Sequence, residues 1–342
     1  MQRKIRAIIG LSGLIVITAF LFAEYAPVQG PGPHALPDSA SLGLMPDEAS
    51  ALVFIAQDKG YFAQEGLNLT VKKYPNGAAA IQGMENGEVN LTLSSEFPLV
   101  AEIFDGRDIL IAGSIDKYYS TTLVARRDHG ITTPSDLPGK TIAIAKGSIG
   151  EFYLGRFLEL QGIPAGKVTL VDRPAGMIVS DLSGNASIDA AVPTPLETYR
   201  LTSQPGNPYV AIPILSGQST YKVVAGNRDW VTNHTRATTA FLLALRDASQ
   251  YAVRDPQNAQ AIVISHLNVS EGYLRSVWPQ HQYRLTFDQS LLIAMEGEAR
   301  WMIENNLTTA PSVPDYLGSF STKSMESADP GAVTIIGQGD HS

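Results

Sequence analysis

Residues 41–71, SLGLMPDEASALVFIAQDKGYFAQEGLNLTV, hold one strand–helix–strand unit, and it sets the reading of the chain. Ser41–Met45 is a short apolar run. From Ala49 to Phe62, the residues Leu52, Val53, Ala56, Lys59 and Tyr61 recur at steps of three and four, the period of a helix with one face turned inward. Gly66 closes that helix. Leu67, Leu69 and Val71 then alternate with polar neighbours, as a strand with one covered face does. A helix between two such strands is the connection that parallel strands require.

The same alternation runs outward. Gly77–Met84 reads as a helix, Val89, Leu91 and Leu93 as a strand, Pro98–Phe104 as a helix and Ile109–Ala112 as a fourth apolar run. The pattern restarts with a strand at Thr121–Ala125, a turn-rich PSDLPG at 134–139, a strand at Thr141–Ala145 and a helix from Ser148 to Leu160 stopped by Gly162. Val168–Val171, Met177–Leu182, Ile188–Val192 and Leu196–Leu201 continue it, and Val210–Ile214 and Lys222–Ala225 are further strands. From Asp229 the helical patterns follow one another directly, at Thr238–Ala252, Pro256–Ser265, Glu271–Val277 and Phe287–Asn305. Two α/β units and a helical tail are expected.

A length of 342 residues suits about two domains. With 44% hydrophobic and 17% charged residues the chain is globular, not disordered. A net charge of −8 argues against a nucleic-acid surface, which needs clustered cations. The absence of cysteine excludes disulfides, thiolate metal sites, a thiol nucleophile and a lipid-anchoring cysteine. Arg3, Lys4 and Arg6 precede an apolar run from Ala7 to Ala23, so residues 1–26 read as a signal peptide or an N-terminal membrane anchor. Residues 27–39 are a Pro/Gly-rich tether. Asn68, Asn185, Asn233, Asn268 and Asn306 begin Asn-x-Ser/Thr triplets and are glycosylation candidates of an extracellular glycoprotein; Asn90 begins a sixth, inside an apolar strand pattern.

Five phrases occur in order along the chain: AQDKGYFAQEGL at 56–67, GEVNL at 87–91, DLPGKTIAI at 136–144, IDAAVP at 188–193 and DPGAVTII at 329–336. Through them the chain resembles the solute-binding proteins of ABC importers in the nitrate/sulfonate/bicarbonate (SsuA/THI5-like, NMT1-like) family, with Asn90 where that family usually has Asp. The resemblance implies an α/β, two-lobed periplasmic-binding-protein-like type II fold, with two parallel or mixed sheets, flanking helices and a two-strand hinge. Lobe 1 would be residues 40–120 plus 226–340, lobe 2 residues 126–220, and the hinge crossings 120–125 and 221–226. It also implies a monomeric, non-enzymatic protein without cofactor or metal, outside the cytoplasm, secreted or held at the membrane by its N-terminal segment if uncleaved. Its partners would be a small-molecule ligand and ABC permease and ATPase subunits, not nucleic acid. The alternatives are a membrane-tethered ligand-sensing domain and a THI5-like pyrimidine-synthesis enzyme. That enzyme branch carries a cysteine-rich motif, which this chain lacks.

Ligands of open parallel sheets bind beyond the carboxyl ends of the strands. Strand order therefore nominates Asp47, beside Glu48; Ser94, Ser95 and Glu96; Lys117 and Tyr118, beside Asp116 and Tyr119; Gly147, Ser148 and Ile149, after Lys146; and Thr194, near Glu197. Gly147 would admit a ligand close to the backbone, and Ser148 would cap the following helix, whose N-terminus favours electron-rich groups. Ser95 and Glu96 would accept hydrogen bonds from ligand amines, and Tyr118 would stack on a ring. The carboxylates outnumber the lysines, so a donor-bearing heterocycle or a zwitterion fits better than nitrate or sulfonate. His234, His266 and His281 form no metal-ligand spacing and read as core or surface residues. No Gly-x-Ser-x-Gly elbow occurs.

Overall fold

The computed structural model describes residues 37–119, 121–184, 187–214 and 217–336. The N-terminal segment, most of the tether, Ser120 and Asn185 lie outside them. The first sheet contains β1 (Asp38–Leu44), β2 (Leu67–Lys73), β3 (Leu91–Ser95), β4 (Ile109–Tyr118) and β10 (Thr220–Asn227), in the order β2-β1-β3-β10-β4. β1 runs parallel to β2 and β3, while β10 is antiparallel to β3 and β4. The second sheet contains β5 (Thr122–Arg126), β6 (Thr141–Ile144), β7 (Thr169–Asp172), β8 (Ala190–Ala191) and β9 (Tyr209–Pro213), in the order β7-β6-β8-β5-β9. β6 is parallel to β7 and β8, and β5 is antiparallel to β8 and β9. Both sheets thus have one topology: three parallel strands, then one antiparallel strand, then a strand on the far edge.

That antiparallel strand corrects the expected crossings. β10 pairs along its whole length within the first sheet and β5 within the second, so 221–226 and 122–125 are sheet strands. The chain passes between the sheets in the short stretches from Tyr118 to Thr122 and from Pro213 to Thr220. The apolar pattern marks a strand because one face is covered, but it does not say which sheet satisfies the strand's N–H and C=O groups.

The helix expected over Ala49–Phe62 is also divided, into a 3₁₀ turn at Glu48–Ser50, α1 (Ala51–Asp58) and α2 (Tyr61–Gln64). Gly60 lies between them at φ +69°, in the left-handed region that interrupts a helix. α3 (Gly77–Glu85) and α4 (Glu96–Phe104) complete the first crossovers. α5 (Ile149–Leu160), α6 (Ala175–Gly184) and α7 (Pro195–Thr202) flank the second sheet.

The helices after β10 are α8 (Arg228–Asn233), α9 (Thr235–Arg254), α10 (Pro256–Leu267), α11 (Glu271–Val277), α12 (Gln289–Glu304) and α13 (Thr322–Ala328). They return to the first sheet instead of trailing from it. α9 buries Ala237, Phe241, Leu245 and Ala248, one stripe at helical spacing, and Phe241 stacks on Phe62 with ring centres 5.5 Å apart. One apolar core runs through the first sheet and continues into α5. A smaller one, including Val124, Ile178, Leu182 and Leu201, lies under α6 and α7. No helix of the described residues is long and apolar enough to cross a membrane.

Candidate functional site

Because β10 runs against β3 and β4, its first residues lie at their carboxyl ends, and Lys222 stands in register with Ser95 and Asp116. This brings together side chains distant in sequence. The Lys222 ammonium, 3% exposed, donates to Asp47 Oδ2 at 2.6 Å, and Ser50 Oγ donates to Asp47 Oδ1 at 2.7 Å. The Tyr273 hydroxyl donates to Glu48 Oε2 at 2.7 Å in the buried interior. His281 Nδ1 lies 2.5 Å from Asp116 Oδ2, both side chains fully buried. The His281 ring is stacked between Tyr118 and Tyr283, with centres 5.0 and 5.1 Å away.

The electrostatics follow from this crowding. Burial pushes the Glu48 carboxyl upward, and the charge of Asp47 adds to the effect. Burial likewise raises Asp116 against the opposing influence of His281. Burial alone would pull His281 down, but the charge and hydrogen bond of Asp116, with Glu48 and Asp47 behind it, hold it above the ordinary imidazole range. Three polar atoms here have no hydrogen-bond partner among the described residues: Asp116 Oδ1, His281 Nε2 and the Tyr283 hydroxyl. A buried polar atom left unpaired costs about 1–3 kcal/mol, so such a cluster marks a place suited to an outside partner.

The expected residues divide. Asp47 and Tyr118 join this cluster. Lys117 faces the other side of β4, because neighbouring strand residues alternate; its ammonium lies over the Tyr221 ring at 5.1 Å and 3.4 Å from Ser290 Oγ. Ser94 is buried against Gly77, where a Cβ would come within 2.3 Å of its hydroxyl. Ser95 stands at the N-cap of α4 without a side-chain capping bond. Glu96 is fully buried; its Oε2 accepts the Tyr221 N–H at 3.0 Å, and burial raises its pKa to about 8 despite that bond.

On the second lobe Gly147 has φ +70° and open space where a Cβ would be. The sequence led us to expect a side-chain cap from Ser148, but it makes none on α5: its hydroxyl donates to the Ala145 carbonyl at 2.6 Å. The Glu151 carboxylate reaches back and accepts the Gly147 N–H at 2.7 Å, which satisfies the loop from within the protein. Half-buried Ile149 begins the helix. Thr194 and Glu197 form a capping box at α7, with the Thr194 N–H donating to Glu197 at 2.9 Å. Their polar groups serve the helix start.

The lobes meet on two flanks. On one, Phe152 of α5 lies 5.6 Å from Phe97 and 5.3 Å from Trp301 of α12, and the Tyr153 hydroxyl bonds Thr220 Oγ1 at 3.0 Å. On the other, Tyr199 of α7 meets Tyr273 of α11 edge-on at 5.5 Å. A separate depression of about 480 Å³, lined by Arg246, Arg254, Arg284 and Asp329 among others, lies on the outer side of α9, not at the strand ends. Among the described residues no group of three or more His, Asp or Glu is arranged to hold a metal ion. His281, Tyr273, Tyr283 and Lys222 were not nominated by sequence. The aromatic density of WPQHQY at 278–283 was the available signal.

Residues 48–259, more than half of the chain, match the model of the NMT1/THI5-like family. The chain belongs to the NMT1/THI5-like family. Among its relatives, a formylaminopyrimidine-binding protein of Halalkalibacterium halodurans is 23% identical over 225 residues, 65% of this chain and 68% of that protein. A 4-amino-5-hydroxymethyl-2-methylpyrimidine phosphate synthase of Schizosaccharomyces pombe is 22% identical over 60% of this chain and 62% of its own length. The alkanesulfonate-binding protein SsuA of Xanthomonas axonopodis pv. citri, solved bound to MOPS, superposes with a TM-score of 0.70 at 15% identity, covering 84% of this chain and 99% of that one. The structural likeness shows a two-lobed periplasmic-binding-protein fold of type II.

Proposed function

We propose that this protein is the extracytoplasmic solute-binding component of an ABC importer, and that it captures a small donor-bearing organic solute of the nitrogen-heterocycle kind between its lobes for delivery to a permease. The observation that carries this reading is the group of Asp47, Glu48 and Asp116 at the strand ends, with unpaired polar atoms on Asp116, His281 and Tyr283. A desolvated nitrate or sulfonate would be repelled by these carboxylates, whereas amine and ring N–H donors would complete them. Half-buried Asp47, Ser95 and Tyr118 on one lobe and Ile149 on the other would line the cleft. The pyrimidine-binding relative supports the ligand class, and the export pattern at residues 1–26 supports the compartment. The lack of cysteine favours a binder over the synthase branch. Glycans would sit on Asn68, Asn233, Asn268 and Asn306, all exposed. Asn90 is engaged in the fold, its side-chain oxygen accepting the Ser41 N–H and hydroxyl, each at 2.9 Å.

Thermal-shift titration with formylaminopyrimidine, aminopyrimidines, taurine and nitrate tests this reading. A true ligand at one hundred times its Kd adds about 2.7 kcal/mol of stability. The pyrimidines should shift the transition and be recovered unchanged after long incubation. A response confined to nitrate or taurine, or conversion of the pyrimidine to product, would overturn it.

A further inference from the structure

Glu96 was nominated as a ligand acceptor, but its surroundings give it another task. Glu96 at the start of α4 and Glu298 on α12 are both 0% exposed, and their carboxyl groups are within hydrogen-bonding reach of each other. The outer oxygens of both are engaged at the second passage between the lobes. Glu96 Oε2 accepts the Tyr221 N–H at 3.0 Å, and Glu298 Oε1 accepts from Gln218 Nε2 at 2.9 Å. The remaining oxygens, Glu96 Oε1 and Glu298 Oε2, have no donor from elsewhere among the described residues. Two buried carboxylates facing one another without a donor would repel strongly; one proton between them turns that contact into a hydrogen bond.

The neighbours supply no countercharge. Neither glutamate forms an ion pair among the described residues. The phenol of Tyr153 on α5 senses both acids, that of Tyr118 on β4 senses Glu96, and that of Tyr316 senses Glu298; all three are held above the usual tyrosine range, first by burial, and stay neutral. Lys222, the next residue of β10, is committed to Asp47. On α5, Glu151 is committed to the Gly147 N–H and Glu159 to the Trp301 indole N–H and Arg156. On α12, Glu296 faces Arg300.

We propose that Glu96 and Glu298 share a single proton and act as a pH-sensitive latch, which holds the Gln218–Tyr221 passage against α4 and α12 while the proton is present and frees it when the proton leaves. The latch lies beside the bond between Thr220 and Tyr153, through which the same passage touches the second lobe. Loss of the proton puts two negative charges in one dry contact, and the way to separate them is to let α4, α12 and the passage part. Burial raises both carboxyls, and the contact between them lowers Glu96 and raises Glu298, so the shared proton sits on Glu298, the latch is closed at neutral pH and it opens on the alkaline side. The sign is that of acids raised on folding: their stabilisation is complete below the unfolded value of 4.5 and is lost as pH rises through the folded values.

Hydrogen exchange on the ligand-free protein tests the latch without knowledge of the solute. Between about pH 6 and about pH 9, the protection factor at Tyr221 should fall at least about tenfold more in the wild type than in Glu298→Gln, where a neutral amide donates permanently to Glu96. Small-angle scattering should show wild-type expansion over the same range and none in the variant. Infrared difference spectra of the wild type should show a protonated carboxyl at neutral pH, lost on alkaline titration; this stands even if Glu298→Gln fails to fold, and Glu96→Gln gives the reciprocal check. Equal pH dependence in wild type and variant, or no protonated carboxyl at neutral pH, would overturn the proposal. Its failure would leave the solute-binding reading intact, since no ligand takes part.

Discussion

At the scale of the residue, the Asp116–His281 pair shows how much depends on a single proton. The imidazole reaches the carboxylate at 2.5 Å with no solvent on either side. His281→Ala would leave a buried carboxylate without its cation, a loss of about 3–5 kcal/mol when one partner of a buried pair is removed. Urea unfolding near neutral pH measures it. A loss below about 1 kcal/mol would mean that Asp116 is already neutral there or finds another partner. A ligand that uses His281 Nε2 should also protect less well in His281→Gln, although glutamine can still donate to Asp116.

At the scale of the element, α5 is the part of the second lobe most tightly fitted to the first. Gly155 faces Trp301, and a Cβ there would come within 2.2 Å of the indole ring, so one methyl group cannot enter without moving the ring or the helix. The indole is held by its N–H donating to Glu159 at 2.9 Å. Gly155→Ala should keep both lobes folded, since alanine suits a helix, yet part α5 from α12. The expected outcome is unchanged far-ultraviolet circular dichroism, a larger radius of gyration and at least about tenfold weaker solute binding. Unchanged scattering and Trp301 fluorescence would show that the lobes close by another contact.

At the scale of the whole molecule, two sets of acids pull the pH optimum in opposite directions. On the surface, Asp38 is lowered by its hydrogen bond from Arg236, and Asp136 is lowered to about 2 by the backbone N–H groups of Thr132 and Thr133. Such groups stabilise above their unfolded pKa of 3.8 and lose that contribution as pH falls through the folded value. Inside, Glu48, Glu96, Asp116 and Glu298 are all raised, first by burial, and their contribution fades as pH rises. His281, raised as well, works in the same sense. Thermal unfolding followed across pH should therefore peak on the acid side of neutral, between about pH 4 and about pH 6.5. A maximum above about pH 8 would show that the buried acids are ionised and compensated in the native state.

Much of this architecture was legible along the chain, and the boundary of legibility has a physical cause. The strand at Thr141–Ala145, the helix at Ser148–Leu160 and the helix at Thr238–Ala252 were readable because the apolar period depends only on local geometry and on one covered face. Their order, with the phrases at 56–67 and 136–144, was enough for the two-lobed fold. What the chain could not disclose was which polar group meets which. Asp116 and His281 are 165 residues apart, and Glu96 and Glu298 meet only because α4 packs on α12. Ser148 was expected at a helix start and stands there, but only the folded loops show that it bonds a carbonyl while Glu151 and Glu197 take the free N–H groups. Sequence by itself determined most of the elements and their order, since those rest on local period, and the resemblance carried by its phrases implied the lobed design. Tertiary structure alone decided which acids are dry, paired or protonated, because the energy of a charge depends on everything brought around it from the rest of the chain.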